Sequence, residues 1–302
     1  MASRTIRSRS VGEGRRDSKE LVLRRLGTLL ENLVIYGFLS LIALTVLYPI
    51  VWMVSTSLKS DKILFKTLTQ LIPSEPFLGN YKAVFEQADF LRYYLNSILI
   101  TTCSVGGLLL ITSMAAYSFG RTKWRGKELV FGLIVAGQLV APVAIIMPVF
   151  IVINSLRLTS TYQGLIFLYL SRVPFGTFVL RAFFEAVPRG IEEVALIDGC
   201  SRYGVFWRIM LPLAKPAIAS VGVFYFFFVW NDFLFPFVVL QKQQLMTIPV
   251  AVFNLRGTYQ IAWGIQTAAL TMAVIPAILA SLFFQKQIVG GLTAGALKGG
   301  QD

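Results

Sequence analysis

The chain has 302 residues, of which 56% are apolar and only 14% charged, and its mean hydropathy is +0.69. Soluble domains carry about a quarter of charged residues, so this balance excludes an ordinary soluble domain and points to an all-α polytopic membrane protein. The net charge of +13 is spread between apolar segments, not gathered in a basic domain, which argues against a nucleic-acid partner and fits the Lys and Arg excess of cytoplasmic loops.

Residues 1–30 read as a basic, polar N-terminal tail. Its first twenty residues are expected to be disordered, and no short apolar core of a cleavable signal precedes the first long apolar run. A bilayer-spanning helix needs roughly 20 mostly apolar residues, and six stretches within 31–288 meet that need. Span one is Leu33 to Val54. Span two lies within Tyr93 to Gly120, and span three within Leu129 to Leu156. Span four covers Tyr162 to Leu180 and is interrupted by Arg172 and Pro174. Span five runs from Pro216 to Leu240 and contains Asp232, and span six lies within Gly257 to Gln285. These are expected to be helices, because lipid-exposed backbone must satisfy its own hydrogen bonds. The alternating ~10-residue strands of a membrane barrel are not visible.

Charge sets the orientation. With both termini in the cytoplasm, nineteen Lys and Arg fall on the inner side and seven on the outer side, as the positive-inside tendency requires. The absence of histidine removes imidazole metal sites and imidazole acid–base chemistry. Cys103 lies in an apolar span and Cys200 in a polar loop, so neither a disulfide nor a zinc site is expected.

The inner loop 181–215 is the most informative segment. Pro188 suits the start of a helix, and Glu192 and Glu193 follow in its first turn, where carboxylates favour the positive end of the dipole. Ile191, Val194 and Ala195 share one face, and Gly199 ends the short helix in a left-handed turn. A second short helix carries Val205, Phe206, Trp207 and Ile209 and ends at Leu211-Pro212. The physical pattern alone fits two roles: an amphipathic loop lying on the membrane, or a docking element for a cytoplasmic partner.

The order Glu193-Val194-Ala195, Asp198-Gly199, Ile209 and Leu211-Pro212 resembles the signature loop of binding-protein-dependent ABC importer permeases. Val194 departs from it, since the family usually has Ala there. Phe228-Val229-Trp230-Asn231-Asp232-Phe233-Leu234-Phe235-Pro236 and the tail from Phe284 to Gly299 resemble the MalG-type carbohydrate branch, as does Ser57-Leu58-Lys59. The resemblance implies a type I importer permease fold with six spans and both termini inside. It implies a multi-pass subunit of a bacterial or archaeal cytoplasmic membrane. Its partners would be a second, related permease, an ABC ATPase dimer, an extracytoplasmic solute-binding protein and a sugar or oligosaccharide. The residues implied in ATPase coupling are Glu193, Ala195, Asp198, Gly199, Ile209, Leu211 and Pro212. In the tail 289–302, Gly290, Gly291, Leu292 and Thr293 would reach the ATPase interface.

No Gly-x4-Gly-Lys-Ser/Thr pattern occurs, so ATP and Mg would be bound by the separate ATPase. No cofactor and no catalytic residue is expected in this chain. An ion-coupled carrier would place acidic or His relays in several spans, whereas Asp232 and Arg172 are the clear intraspan charges here. A membrane enzyme is disfavoured by the lack of His and of clustered carboxylates. Trp230, Asn231, Asp232 and Arg172 are the candidates for the substrate path. The same residues also fit helix–helix contacts with the partner permease, and Arg172 fits an ion pair with Asp232. The aromatic run Phe224–Phe228 reads as core or lipid-facing surface.

The charge distribution generates a topology test. Cysteine-labelling of Ser10, Trp124, Cys200 and Lys298 positions is expected from the cytoplasmic side, and of Glu75 and Leu245 positions from outside. Outside labelling at Cys200 would remove the basis for a cytoplasmic docking loop.

Overall fold

The computed structural model describes residues 6–64, 70–87, 89–255 and 262–296, and their regular structure is helical. The elements are α1 (Ile6–Ser57), α2 (Asp61–Leu64), α3 (Gly79–Gln87), α4 (Phe90–Arg121), α5 (Lys127–Ala136), α6 (Pro142–Ser155), α7 (Tyr162–Leu170) and α8 (Val173–Ala186). They continue as α9 (Gly190–Ile197), α10 (Arg202–Val205), α11 (Leu211–Leu213), α12 (Lys215–Trp230), α13 (Leu234–Val239), α14 (Ile248–Asn254) and α15 (Trp263–Ala296). Three stretches are long and apolar enough to cross a bilayer unaided: Gly27–Ser57, Phe90–Arg121 and Trp263–Gln285. Three bent pairs pass the same test together, which gives six crossings if each pair counts as one.

Both ends differ from the sequence expectation. The N-terminal stretch expected to be disordered is helical from Ile6 onward and runs without a break into the first span. Helix propagation from an existing span costs far less than nucleation, and the Lys, Arg, Glu and Leu residues there are good helix formers. At the other end α15 continues through Gly290, Gly291, Leu292 and Thr293 to Ala296. Neither the 30/31 nor the 288/289 boundary is therefore a helix end. Residues 1–5 and 297–302 lie outside the described residues.

The middle spans are not single rods. Span three bends by 105° between Leu139 and Pro142, because Val140 and Ala141 are extended ahead of a proline, as the steric demand of the proline ring dictates. Span four bends by 42° at Ser171–Arg172, where Pro174 sits at the start of α8 and has no N–H to donate backward. The expected fifth span is cut at Asn231–Phe233 into α12 and α13. A further bend of 73° separates the arm Arg202–Leu213 from α12.

Helix α4 is the long central element that stays unbroken. Its packed face carries small and polar residues, among them Asn96, Ser97, Thr101, Ser104, Thr112, Ser113 and Ala116, all buried. Small side chains let neighbouring helices approach closely where lipid offers no hydrophobic driving force. A Cβ added to Gly107 would stand 2.6 Å from Leu170 Cδ2, so α7 rests on that bare position. By contrast, the apolar window of α1 has none of its residues buried within the chain. Beyond α1, Asn80 donates to the Ser57 and Lys59 carbonyls at 2.8 Å each, and Asp61 accepts from Gly264 N at 2.9 Å. These bonds pin the loop after α1 to α3 and to the start of α15. Lys59 is buried and donates to the Gln70 carbonyl.

The break between α7 and α8 is closed by one side chain. The Tyr225 hydroxyl accepts from Gly176 N at 2.9 Å and donates to the Arg172 carbonyl at 3.0 Å. Tyr225→Phe would leave both backbone groups unpaired, a cost of about 1–3 kcal/mol, so a lowered melting midpoint of the purified protein is expected. An unchanged midpoint would show that other groups take over these bonds. A Cβ on Gly176 would lie 2.5 Å from the Tyr225 oxygen, so Gly176→Leu is expected to prevent accumulation of folded protein.

Candidate functional site

The loop between α8 and α12 forms a rigid projecting arm. Val187 leaves α8 in an extended conformation, and α9 begins with Glu192 and Glu193 in its first turn. Gly199 takes φ +86, a region that costs non-glycine residues strain. Its N–H donates to the Leu196 carbonyl at 3.1 Å, and Cys200 N–H to the Ala195 carbonyl at 3.0 Å, which closes the C-terminus of α9. Ser201 then caps α10 by accepting from Gly204 N at 3.1 Å. A π-helical turn, Phe206–Met210, follows, just before Pro212, which has no N–H to continue a regular ladder.

The arm has two faces. Ala195, Val205, Phe206, Met210 and Ala214 are buried with Leu180 and Phe184 of α8, and Ile209 and Leu211 pack against that cluster. Tyr117 of α4 stacks edge-on against Phe184 and at a tilt against Phe206. The opposite face leaves Ile197 84% and Tyr203 81% exposed, together with Val194, Ile191 and Trp207. Glu193, Asp198, Gly199 and Pro212 are also exposed. The signature residues thus divide into anchors on the bundle side (buried Ala195, half-buried Ile209 and Leu211) and surface positions around an apolar knob.

A buried ion pair joins the arm to α4. Arg121 Nε donates to Glu192 Oε1 at 2.6 Å, with side-chain exposures of 4% and 18%. Arg121 Nη1 donates to the Val187 carbonyl at 2.8 Å. Beside it, Arg181 pairs with both Glu128 and Glu185 at 2.8 Å and lies 4.1 Å from the Phe131 ring centroid, which fastens the start of α5 to α8. In the sequence Arg121 counted only as a topological charge, and its partner was not legible because the two residues are 71 positions apart.

A second candidate region lies where the broken helices meet. A cavity of about 550 Å³ is lined by Gln138 at the α5–α6 break, Ser171, Arg172 and Phe175 at the α7–α8 break, and Phe224 and Phe228 of α12. Phe175 and Phe224 stack with centroids 4.0 Å apart. The Arg172 guanidinium carbon lies 5.4 Å from the Phe228 centroid and 5.0 Å from that of Phe235. Its Nη2 is buried without a hydrogen-bond partner.

The structure separates the four sequence candidates. Arg172 faces the cavity. Asp232 accepts from the Tyr169 hydroxyl at 2.8 Å and from Leu234 N at 3.1 Å, so it caps α13 and ties span four to span five. Among the described residues no ion pair joins it to Arg172. Asn231 is exposed and bonds the Phe227 carbonyl at 3.0 Å. Trp230 points away from the cavity: it is buried, stacks with Phe226 and donates to the Ala273 carbonyl of α15 at 3.4 Å. The aromatic run is split likewise. Phe224, Tyr225 and Phe228 line the cavity, and Tyr225 is at the same time buried in the core, whereas Phe226 stacks on Trp230 away from it. Among the described residues there is no cluster of metal-ligating side chains.

Comparison with known proteins agrees with this geometry. Residues 107–293 match the family described as binding-protein-dependent transport system inner membrane component. The probable ABC transporter permease protein YurM of Bacillus subtilis is 32% identical over 266 residues, which cover 88% of this chain and 88% of that protein. The trehalose/maltose transport system permease protein MalG of Thermococcus litoralis is 32% identical over 285 residues, 93% of this chain and 99% of that one. In fold, the chain is similar to a crystal structure of a bacterial ABC transporter involved in the import of the acidic polysaccharide alginate, with a TM-score of 0.74, 23% identity, and coverage of 85% of this chain and 96% of the other. With the projecting arm of the signature loop, the broken middle spans and a family match across most of the described spans, this chain belongs to the inner-membrane permease components of binding-protein-dependent ABC transporters.

Proposed function

We propose that this permease subunit forms half of a translocation path for a sugar or oligosaccharide and takes its energy from a separate ATPase dimer gripping the 188–212 arm. The observation that carries the reading is the arm itself. It presents Ile197, Tyr203 and Val194 to solvent on a base held rigid by Arg121, Gly199 and the Ala195 cluster. Apolar side chains displayed on a stiff short helix have the form of a helix-in-groove ligand. Carbohydrate cargo is favoured by relatives that belong to a trehalose/maltose transport system and a diacetylchitobiose uptake system.

The remaining parts of the reading follow from that one. Both termini lie in the cytoplasm, as the charge count favours. An extracytoplasmic binding protein delivers cargo to the loops 59–91 and 241–260. A second permease covers the exposed apolar face of α1 and completes the path, since one bundle of six crossings encloses little volume. ATP and Mg stay with the ATPase, and closure of its dimer moves the arm and switches the path between outward and inward access. Residues Gly290, Gly291, Leu292 and Thr293 extend from α15 toward the ATPase interface. The lining of the path in this chain is the cavity around Arg172, Gln138, Phe175, Phe224 and Phe228. Sugar hydroxyls and aromatic faces suit such a mixture of donors and rings.

Two outcomes test the reading. Ile197→Asp is expected to abolish copurification of the ATPase while the permease still inserts, and Gly199→Val to reduce uptake severely through strain at φ +86. Normal ATPase recovery with Ile197→Asp would remove the docking role. Arg172→Ala orphans no hydrogen-bond partner among the described residues, so complex yield should hold. Loss of a charged hydrogen bond to cargo is worth about 1.5–3 kcal/mol, so uptake at limiting sugar should fall by about tenfold or more. Wild-type uptake would place recognition in the partner permease.

A further inference from the structure

We infer that α4 is a rigid strut that carries motion of the coupling arm to the segment 244–248 at the opposite end of the bundle, with Arg121 and Asn96 as its two end fittings. The inference rests on the docking role of the arm.

The two ends are built alike. At one end Arg121, only 4% exposed in its side chain, grips both Glu192 of α9 and the Val187 carbonyl that precedes it. The covalent links of α9 to its own neighbours run through the extended Val187 and the left-handed Gly199, both of which are turns rather than continuous helix. Arg121 bypasses those turns. At the other end Asn96 is 5% exposed and fully used: its Nδ2 donates to the Gln244 carbonyl at 3.0 Å and the Met246 carbonyl at 2.9 Å, and its Oδ1 accepts from Tyr162 Oη at 2.7 Å. The adjacent Ser97 Oγ accepts from Ile248 N, the first residue of α14, at 2.9 Å.

Between these fittings α4 is a single helix, about 38 Å at 1.5 Å per residue. The neighbouring crossings offer no such route, since the α5–α6, α7–α8 and α12–α13 pairs are each interrupted midway. An unbroken helix resists compression and bending, whereas a broken one yields at its break. A displacement of α9 imposed by the ATPase therefore reaches segment 244–248 through α4, and binding at that segment reaches the arm by the same path, as linkage requires. Arg121 and Asn96 are positioning residues, since neither touches cargo or nucleotide in this assignment.

The test uses the assembled complex with its ATPase and binding protein in proteoliposomes, with all rates normalised to assembled complex. Arg121→Met and Asn96→Asp are each expected to lower binding-protein-stimulated ATPase and uptake together, by at least about fivefold, the lower end of usual coupling, while unstimulated ATPase persists. Asn96→Asp keeps the acceptor for Tyr162 and removes both donated bonds. Because both changes cut one strut, the double variant should be no worse than the weaker single variant. Arg121→Glu combined with Glu192→Arg should recover part of what Arg121→Glu loses. In the otherwise unaltered complex, spin labels at Lys123 and Arg189 should keep their separation to within about 2 Å, the scale of small helix shifts, between nucleotide-free and ATP-bound states. Multiplying effects in the double variant, full stimulation in Asn96→Asp, no recovery on charge reversal, or a larger change between the labels would each overturn the strut. Retention of the ATPase by Ile197→Asp, in contrast, would overturn the docking reading whatever α4 does.

Discussion

A backbone N–H or carbonyl in the bilayer has no water to bond, and the whole middle of this protein is arranged around that constraint. Breaking a helix at mid-membrane frees several such groups, and this chain breaks three of its crossings. At two of these breaks specific side chains take the place of the lost ladder. Tyr225 bridges Gly176 N and the Arg172 carbonyl. Asp232 accepts from Leu234 N and from Tyr169. The intraspan carboxylate thus acts as a helix cap and an interhelical tie in the same position. The breaks in turn line a cavity with polar groups that an intact helix would hide, a recurrent way of building a path through a bilayer.

Those interrupted helices need something continuous to hold them, and α4 supplies it. Its small and hydroxylated face allows α7, α8 and α12 to pack closely, with Gly107 receiving Leu170 and Thr112 lying against Gly176. Hydrophobic burial contributes little between helices surrounded by lipid, so close van der Waals contact and interhelical hydrogen bonds carry the association. Polar atoms also mark its ends, at Asn96 and Arg121. The arrangement combines a stiff central element with yielding neighbours, which is what alternating access demands of a scaffold.

The arm between α8 and α12 divides its motif between the bundle and the surface. Ala195 belongs to the core, Ile209 and Leu211 pack against it, and together they fix the arm's attitude. Glu193, Asp198 and Gly199 stand on the surface around Ile197 and Tyr203. Glu192, adjacent to the family's acidic position, is the residue that pairs with the bundle. Val194, where the resembled signature usually has Ala, lies on the exposed face at 58% exposure and so takes little part in the arm's own packing.

Local chemistry was enough to read much of this protein from its sequence. Long apolar runs mark the candidate membrane helices, glycine at 199 ends α9 in a left-handed turn, and the spacing from Glu193 to Pro212 marks the arm between α8 and α12. Each of these depends on residues close together in the chain. The tertiary structure decided what depends on distant residues. Trp230 and Phe228 are two positions apart on one helix, yet one packs on α15 and the other lines the cavity. Asp232 and Arg172, natural partners by charge, do not form an ion pair: Asp232 accepts from Tyr169, and Arg172 lies beside two phenylalanine rings. Arg121 looked like one more topological charge until the fold brought Glu192 to it across 71 residues. Apolarity and turn chemistry are properties of short segments and are written in order along the chain. The direction a side chain faces, and the partner it meets, are set only when the helices pack.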